Sequence, residues 1–310
     1  MLGQSKESSV AKEELVSVII PVYNRVDLLK RAIDSALAQT HDSLEIIVVD
    51  DASPEDVRSV LSYFHDPRIN YVRCEANRGS AAARNEGIML AKGRYVAFLD
   101  SDDEWRERKI EAQIKSLGNH GPGYGACYTE SERFDDDSGR SIGFTSYGKE
   151  GYLVGDILYG TRFTLSSFIV EKSVLLELGG FDERLRLGQD WELYLRLALR
   201  TRFAYVKEPL TVYHLHKGQI SNSYERNKNY VHSLRIILEK HRELFLKDRK
   251  ALANLLNQIG YYEMSCGEKA EALRHIIASI AHNPWQKAAY LMVLRAALGW
   301  ERSKAGQDAP

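Results

Sequence analysis

The chain has 310 residues, 44% of them hydrophobic, enough to bury a large core as one big domain or two ordinary ones. Its 42 Lys and Arg against 43 Asp and Glu leave a formal charge of -1, which argues against a general affinity for nucleic acid and leaves room only for a local basic patch. Three widely spaced cysteines, Cys74, Cys127 and Cys266, form neither a disulfide framework nor a CxxC zinc pattern and suit a reducing compartment.

Residues 1–14 are polar and of mixed charge, lack the apolar core of a signal peptide or membrane span, and read as a disordered lead-in. Strands and helices then alternate. Residues 16–22 are a β-branched apolar strand stopped around Pro21, and 27–39 carry helical spacing in Leu28, Leu29, Ala32, Ile33, Ala36 and Leu37. A strand over 44–49 ends at Asp50 and Asp51, and a helix over 54–64 and a short strand over 69–73 follow it. An Ala-rich helix over 80–92 leads through Gly93 into a strand over 95–99. This order predicts a parallel sheet with right-handed crossovers, a Rossmann-like half. No GxGxxG or GxxxxGK[ST] loop follows any strand, which weighs against dinucleotide or P-loop binding.

The strand over 95–99 runs straight into Asp100, Asp102 and Asp103. Ligands of open α/β sheets bind outside the carboxyl ends of strands. Crowded acids there repel one another unless a cation neutralises them, and hard divalent cations take oxygen ligands. Taken alone, the cluster fits a metal site or equally a solvated turn, and Asp103 before Glu104-Trp105 suits a helix cap. Two other strands also end in polar residues, at Tyr23-Asn24-Arg25 and at Asp50-Asp51, so one sheet edge would gather all three groups.

From 118 to 151 the composition turns to Gly and Ser and reads as short strands and loops, with Asp135-Asp136-Asp137 a solvated hairpin tip. A strand over 164–170 and a helix over 173–178 ended by Gly179-Gly180 precede a helix over 189–200 and strand pieces over 204–206 and 210–213. Beyond Ser221 only helices are expected, over 230–246, 249–266, 268–282 and 284–298. They are amphipathic with charges of both signs, so packing against the preceding domain is the least demanding account. The pair around Asn283-Pro284 is loosely like a tetratricopeptide unit, but one repeat is too few for an array. The apolar stretch over 288–300 contains Arg295 and is too short to span a bilayer.

In order, the motif pieces are Val-Ser-Val-Ile-Ile-Pro-Val-Tyr-Asn-Arg (16–25), Val-Val-Asp-Asp-Ala-Ser (48–53), and Asn77-Arg78-Gly79 with Ala83-Arg84-Asn85. Phe-Leu-Asp-Ser-Asp-Asp (98–103), Gly-Gly-Phe-Asp-Glu (179–183), Gln-Asp-Trp-Glu (189–192) and the stretch from Tyr213 to Ser221 complete the series. Each piece alone is weak, but the ordered set is highly specific. Over roughly 15–222 the chain resembles the family 2 glycosyltransferases of the GT-A fold. The resemblance implies an α/β fold with a Rossmann-like, mostly parallel sheet flanked by helices, and a C-terminal α-helical appendage. It divides the chain into the lead-in 1–14, a GT-A domain over 15–221 and a helical extension over 222–310.

The activity implied is inverting transfer of a sugar from a nucleoside diphosphate sugar, UDP- or another NDP-hexose, to an acceptor hydroxyl, with Mg²⁺ or Mn²⁺ as cofactor. Carried over residue by residue, Pro21, Tyr23 and Arg25 would frame the nucleotide base and Asp51, beside Asp50, would accept from its edge. Arg84 would lie near base and diphosphate, Asp100 would serve the ribose or metal shell, and Asp102 with His216 would hold the metal. Asp190 would be the catalytic base, taking the proton of the attacking hydroxyl. Each also has a plain structural reading. Pro21 can be a strand stop, Arg84 a solvated helix face, Asp190 an ordinary first-turn acid favoured by the helix dipole, His216 a surface histidine, and Trp191 core packing. His214, two residues from His216, would share its face on a strand. Many relatives have Glu where Gln189 stands, a departure that removes one charge and leaves the base in place.

The partners implied are the donor and a glycan, lipid-linked or other hydroxyl acceptor, with no nucleic acid. A peripheral membrane or protein contact through the helical tail is a further expectation. The setting expected is cytoplasmic, peripheral at the inner membrane face, in bacterial polysaccharide or glycan assembly. Two rivals stand beside this reading. A metal-dependent nucleotidyltransferase would need a glycine-rich basic loop that 21–26 lacks. A degenerate GT-A-like binding or scaffold protein is argued against by the intact Asp51, Asp100, Asp102 and Asp190.

Overall fold

The computed structural model describes residues 14–216 and 224–297, so the lead-in over 1–13 and the expected domain boundary at 221–222 lie outside the described residues. Four strands open the chain, β1 (Val16–Val22), β2 (Leu44–Asp50), β3 (Ile69–Arg73) and β4 (Tyr95–Phe98). Helices α1 (Val26–Leu37), α2 (Val57–Leu61) and α3 (Ser80–Leu90) alternate with them. The four strands pair in parallel in the order β3-β2-β1-β4. Every residue of β1, β2 and β4 is buried, because helices cover both faces, and that is why these runs show no polar alternation. The helix expected over 54–64 shrinks to α2, which begins where the Asp56 side chain accepts from the Arg58 amide.

Next come β5 (Glu104–Trp105), α4 (Lys109–His120), β6 (Tyr124–Asp135), β7 (Arg140–Thr145) and α5 (Val154–Ile157). A 3₁₀ turn at Leu165–Ser167 replaces the first half of the strand expected over 164–170 and leads into β8 (Phe168–Glu171), α6 (Lys172–Leu178), α7 (Gln189–Arg200) and β9 (Arg202–Leu215). The sheet continues past β4 in the order β8-β6-β9-β5, with β8 antiparallel to β4 and β7 hairpinned onto β6. The glycine-rich stretch therefore holds a 12-residue strand, β6, whose first half is buried. Acids 135–137 do lie at the hairpin turn. The two strand pieces expected over 204–213 are one strand. Its pairing with β6 slips between Val206 and Pro209, and that bulge absorbs a proline without a backbone N–H. Asp103 caps no helix: the next residues pair with β9 as β5, and α4 starts only at Lys109.

The tail folds as α8 (Tyr224–Lys240), α9 (Arg242–Lys247), α10 (Arg249–Ser265), α11 (Lys269–His282) and α12 (Lys287–Ala297). The single helix expected over 230–246 is broken at His241. One apolar cluster runs from Phe98, Tyr128 and Phe168 on the sheet through Trp191 and Leu193 of α7 to Leu234, Ile237, Phe245 and Leu255 of the tail. Each such side chain, fully buried, contributes roughly 1.5–3 kcal/mol, so the tail and the α/β layers share one core. The opposite face is closed by Leu29, Ala32 and Ile33 of α1 and Ile110 of α4. Among the described residues no helix is long and apolar enough to cross a membrane.

Candidate active site

Because β1, β2 and β4 are parallel, their carboxyl ends open on one edge. The backbone there is strained at two non-glycine residues, Asn24 (φ 51°) and Ala52 (φ 58°). A β-carbon in that left-handed region costs roughly 1–2 kcal/mol, and such strain concentrates at functional sites. The strand ends are tied together against it. The Asn24 amide donates to Ser53 Oγ at 3.2 Å, the Ser53 amide to Asp50 Oδ1 at 2.8 Å, and Arg73 Nη2 to the Ser53 carbonyl at 2.8 Å. Pro21 does not stop β1: it is a buried member of the strand opposite Val49, and Val22 continues the pairing.

The adjacent acids after β2 do different things. Asp50 is fully buried and closed off by Arg73, Tyr71 Oη at 2.8 Å and the Ser53 amide. Asp51 accepts from the amides of Arg78 at 2.9 Å and Gly79 at 2.7 Å, and so fixes the loop that enters α3. Gly79 has φ 94°, a conformation that strains any residue with a β-carbon, so this loop favours glycine.

After β4, Asp100 meets Arg84 Nη2 at 2.5 Å, while the Asp100 amide donates to Ser166 Oγ at 3.1 Å. The Ser166 hydroxyl donates in turn to Asp103, which also accepts from the His214 amide at 3.3 Å. Burial, reinforced by Asp102 and then Asp100, holds the Asp103 carboxyl well above the usual carboxylate range. Asp102 pairs with Arg25, stands 3.2 Å from His216 Nε2, and has its carbonyl held by Arg31 Nη2 at 2.7 Å. His214 turns instead to Asp136 Oδ1 at 2.6 Å, so the two histidines serve different carboxylates. The donor chemistry suits Mg²⁺ or Mn²⁺. A carboxylate and an imidazole converge 3.2 Å apart, and Mg²⁺ or Mn²⁺, with phosphate oxygens completing the shell, would have to displace the Arg25 guanidinium from Asp102. Among the described residues no group of three or more His, Cys, Asp and Glu side chains is placed to hold a metal ion.

Asp190 lies in the first turn of α7, after Gly188 in the left-handed region at φ 66°. The helix terminus favours its anion, yet burial wins and raises its pKa. The Trp191 amide and the Arg84 guanidinium oppose that rise, and Asp100 adds to it. Arg84 is 5% exposed and no solvated helix face: Nη2 holds Asp100, while Nε and Nη1 are buried without a partner among the described residues. Among the same residues the buried Tyr194 hydroxyl and Gln189 Oε1 also lack partners, although Gln189 Nε2 donates to Ser80 Oγ at 2.6 Å. An unpaired buried polar atom costs roughly 1–3 kcal/mol, so four around one acid are the mark of a site built for a polar ligand. Trp191 is core, donating through Nε1 to the Ile157 carbonyl at 2.6 Å.

The edge therefore assembles Arg25, Asp102 and His216 on one side, Arg84 and Asp100 in the middle, and Asp190 within electrostatic reach of both of the latter. Tyr23 is 44% exposed at the end of β1, and Asp51 is occupied with its loop. Sequence reasoning missed Tyr194, Ser166 and Arg31. Tyr194 follows Asp190 by four residues, one helical turn, and was legible in principle, whereas Ser166 and Arg31 carry no local signal.

Comparison with known proteins places these residues in company. A family model described as "Glycosyl transferase family 2" matches residues 17–170, and one described as "Glycosyltransferase like family 2" matches 157–263. The colanic acid biosynthesis glycosyl transferase WcaA of Escherichia coli, a putative assignment in its own name, is 30% identical over 240 residues, covering 74% of this chain and 82% of the relative. A glycosyltransferase of Rickettsia bellii is 30% identical over 211 residues, and there the match covers 68% of this chain but only 30% of the relative's length. Among solved structures, Staphylococcus aureus TarS 1–349 in complex with UDP-GlcNAc superposes with a TM-score of 0.69 at 18% identity, covering 86% of this chain and 81% of that one. The Pyrobaculum calidifontis mannosyltransferase PcManGT in complex with GDP-Man and Mn²⁺ gives 0.58 at 20% identity, covering 94% and 82%. At those identities the likeness speaks for the GT-A fold.

Proposed function

Because the chain belongs to glycosyl transferase family 2, we propose that it is an inverting, metal-dependent glycosyltransferase moving a hexose from a nucleoside diphosphate to an acceptor hydroxyl. The observation that carries the reading is the buried Arg84, which pairs with Asp100, acts electrostatically on Asp190, and keeps two N–H groups without a partner among the described residues. A cation with open donors beside the proposed base is what a diphosphate leaving group needs.

In this reading Pro21, Tyr23 and Arg25 frame the base, and Asp51 offers its remaining lone pairs to the base edge. Arg84 donates Nε–H and Nη1–H to the diphosphate, and Asp100 serves the ribose. Asp102 and His216 would hold Mg²⁺ or Mn²⁺, which would supply positive charge beside the diphosphate. Asp190 takes the acceptor's proton on a carboxylate oxygen as the hydroxyl attacks the anomeric carbon from the face opposite the leaving group. A pKa raised by burial makes its anion a stronger proton acceptor. The catalytic unit is assigned to 15–221 and the helical extension to 222–310.

UDP-GlcNAc in TarS and GDP-Man with Mn²⁺ in PcManGT support a nucleotide-hexose donor, and the colanic acid relative supports bacterial polysaccharide assembly on a glycan or lipid-linked acceptor. We place the protein in the cytoplasm, peripheral to the inner membrane face. The exposed Trp285, Tyr290, Leu291 and Leu294 of the tail support a contact with membrane or partner there. The test is a panel of UDP- and GDP-hexoses with and without Mn²⁺, read by released diphosphate. Turnover of one donor that depends on Mn²⁺ is the expected result. Turnover of none, with no binding of UDP or GDP by calorimetry, would overturn the proposal.

A further inference from the structure

Three residues close to Asp190 in the chain, Gly188, Trp191 and Glu192, face the helical tail, while Gln189 faces Ser80 of α3. A β-carbon on Gly188 would lie 3.6 Å from the Tyr230 ring and 3.8 Å from Ile237 Cδ1, both on α8. Trp191 packs edge-on against Phe245 of α9 with ring centroids 6.5 Å apart. Glu192 is fully buried, and its Oε1 receives Lys240 Nζ at 2.8 Å and His241 Nε2 at 3.0 Å, from the end of α8 and the break before α9. Asp190 is the one residue of this turn between Gly188 and Glu192, beside Gln189, whose surroundings belong to the candidate site.

The Glu192 carboxylate also ties the turn to the rest of the edge. Arg196, one helical turn on, grips both of its oxygens at 2.5–3.1 Å and donates to the carbonyls of Leu178 and Gly180 at 2.7 Å. Lys240 also reaches Asp182 at 3.1 Å in the loop that Asn85 of α3 clamps through Phe181. Burial works against the Glu192 anion, yet His241, Arg196 and Lys240 together hold its pKa down to about 2. A buried carboxylate with five charge-assisted contacts from three partners is fixed in one geometry, and losing one partner leaves it free to shift.

We propose that the C-terminal helices are the seat of the candidate base. Lys240 and His241 are positioning residues that, through Glu192, set where the first turn of α7 presents Asp190. The inference rests on the assignment of Asp190 as the base. It gives the tail a task inside the reaction rather than beside it. Neither residue approaches the substrate; both act through Glu192.

The test uses the full chain and the variants Lys240→Met, His241→Ala, Lys240→Arg and Asp190→Asn. Lys240 is the milder site because its side chain is 32% exposed, so Lys240→Met folds even where His241→Ala does not. With a donor drawn from the UDP- and GDP-hexose panel, Lys240→Met and His241→Ala are expected to lower kcat roughly 10- to 100-fold, the scale set by small misplacements of a reacting group. Donor KM and UDP affinity in Mn²⁺ stay at wild-type values, and Lys240→Arg restores most of kcat. Hydrogen–deuterium exchange over 186–196 is expected to quicken in both variants. Wild-type kcat and exchange in both, alongside an inactive Asp190→Asn, would overturn the seat and leave the base standing. Full transfer by Asp190→Asn would instead fell the base assignment, and the exchange measurement would then judge the seat alone.

Discussion

Replacing Asn85 by Ala isolates the contact that joins two motif pieces 96 residues apart. Asn85 Nδ2 donates to the Phe181 carbonyl at 2.9 Å and to Glu183 Oε1 at 3.0 Å, and its Oδ1 accepts the Phe181 amide at 2.8 Å. Phe181 is buried, edge-on to Phe98 at 5.3 Å between centroids and under the Arg84 guanidinium at 5.6 Å. Asn85→Ala strands both backbone groups of Phe181, and at roughly 1–2 kcal/mol for each buried orphan the expected loss of stability is about 2–4 kcal/mol. Urea unfolding at an unchanged m-value measures it. Gly180 supplies a second arm, since a β-carbon there would approach Asn85 Oδ1 to 2.4 Å. Gly180→Ala alone therefore pays for both a collision and a φ of 69°, whereas in the Asn85→Ala background only the backbone strain remains. The double-mutant cycle should show the two changes costing less together than their sum. Strict additivity, or a loss below about 0.5 kcal/mol for Asn85→Ala, would refute the clamp.

Three further outcomes are expected. Asp190→Asn should lower kcat by about 10²–10⁴-fold with UDP affinity unchanged by calorimetry, the range for losing a general base. In the wild type, kcat should fall as pH drops through a carboxyl pKa raised by burial, so an acid limb at an ordinary carboxylate pKa counts against the assignment. Asp102→Ala should abolish the Mn²⁺ dependence of UDP binding, and a metal titration like that of the wild type would contradict its role. Lys109 is buried over Trp105 with one hydrogen bond, to Gln113 at 2.8 Å, and burial brings its pKa down to about 7 from the ordinary 10.5. Between those values the unfolded chain holds a proton that the folded chain does not, so stability should rise with pH across that window. Lys109→Met should flatten the rise in urea melts at several pH values, and parallel curves for the two proteins would refute it.

How much was legible in the residues follows from the range of the forces involved. The first four strands, their alternation with helices and the helix over 189–200 were readable because burial on both faces leaves uninterrupted apolar runs, and helical burial leaves a 3.6-residue period. The motif series carried the family and the residues expected at the site, but not Tyr194, Ser166 or Arg31. It could not tell a closed carboxylate from an open one. Asp50 and Asp51 look alike in sequence, but only the approach of Arg73 and Tyr71 to the first, and of the 78–79 amides to the second, separates them. Asp103 looked like a cap because a cap is a local pattern. Its actual partners, Ser166 and His214, lie 63 and 111 residues away. The function of Glu192 was likewise invisible, since its counter-charges arrive from helices 48 and 49 residues on. By itself the sequence determined the succession of strands and helices in the first hundred residues, the family and the acids at the strand ends, all carried by neighbours in the chain. Which acids are buried, paired or left open was decided by contacts between distant elements, because desolvation and pairing depend on what folds against a side chain rather than on what precedes it.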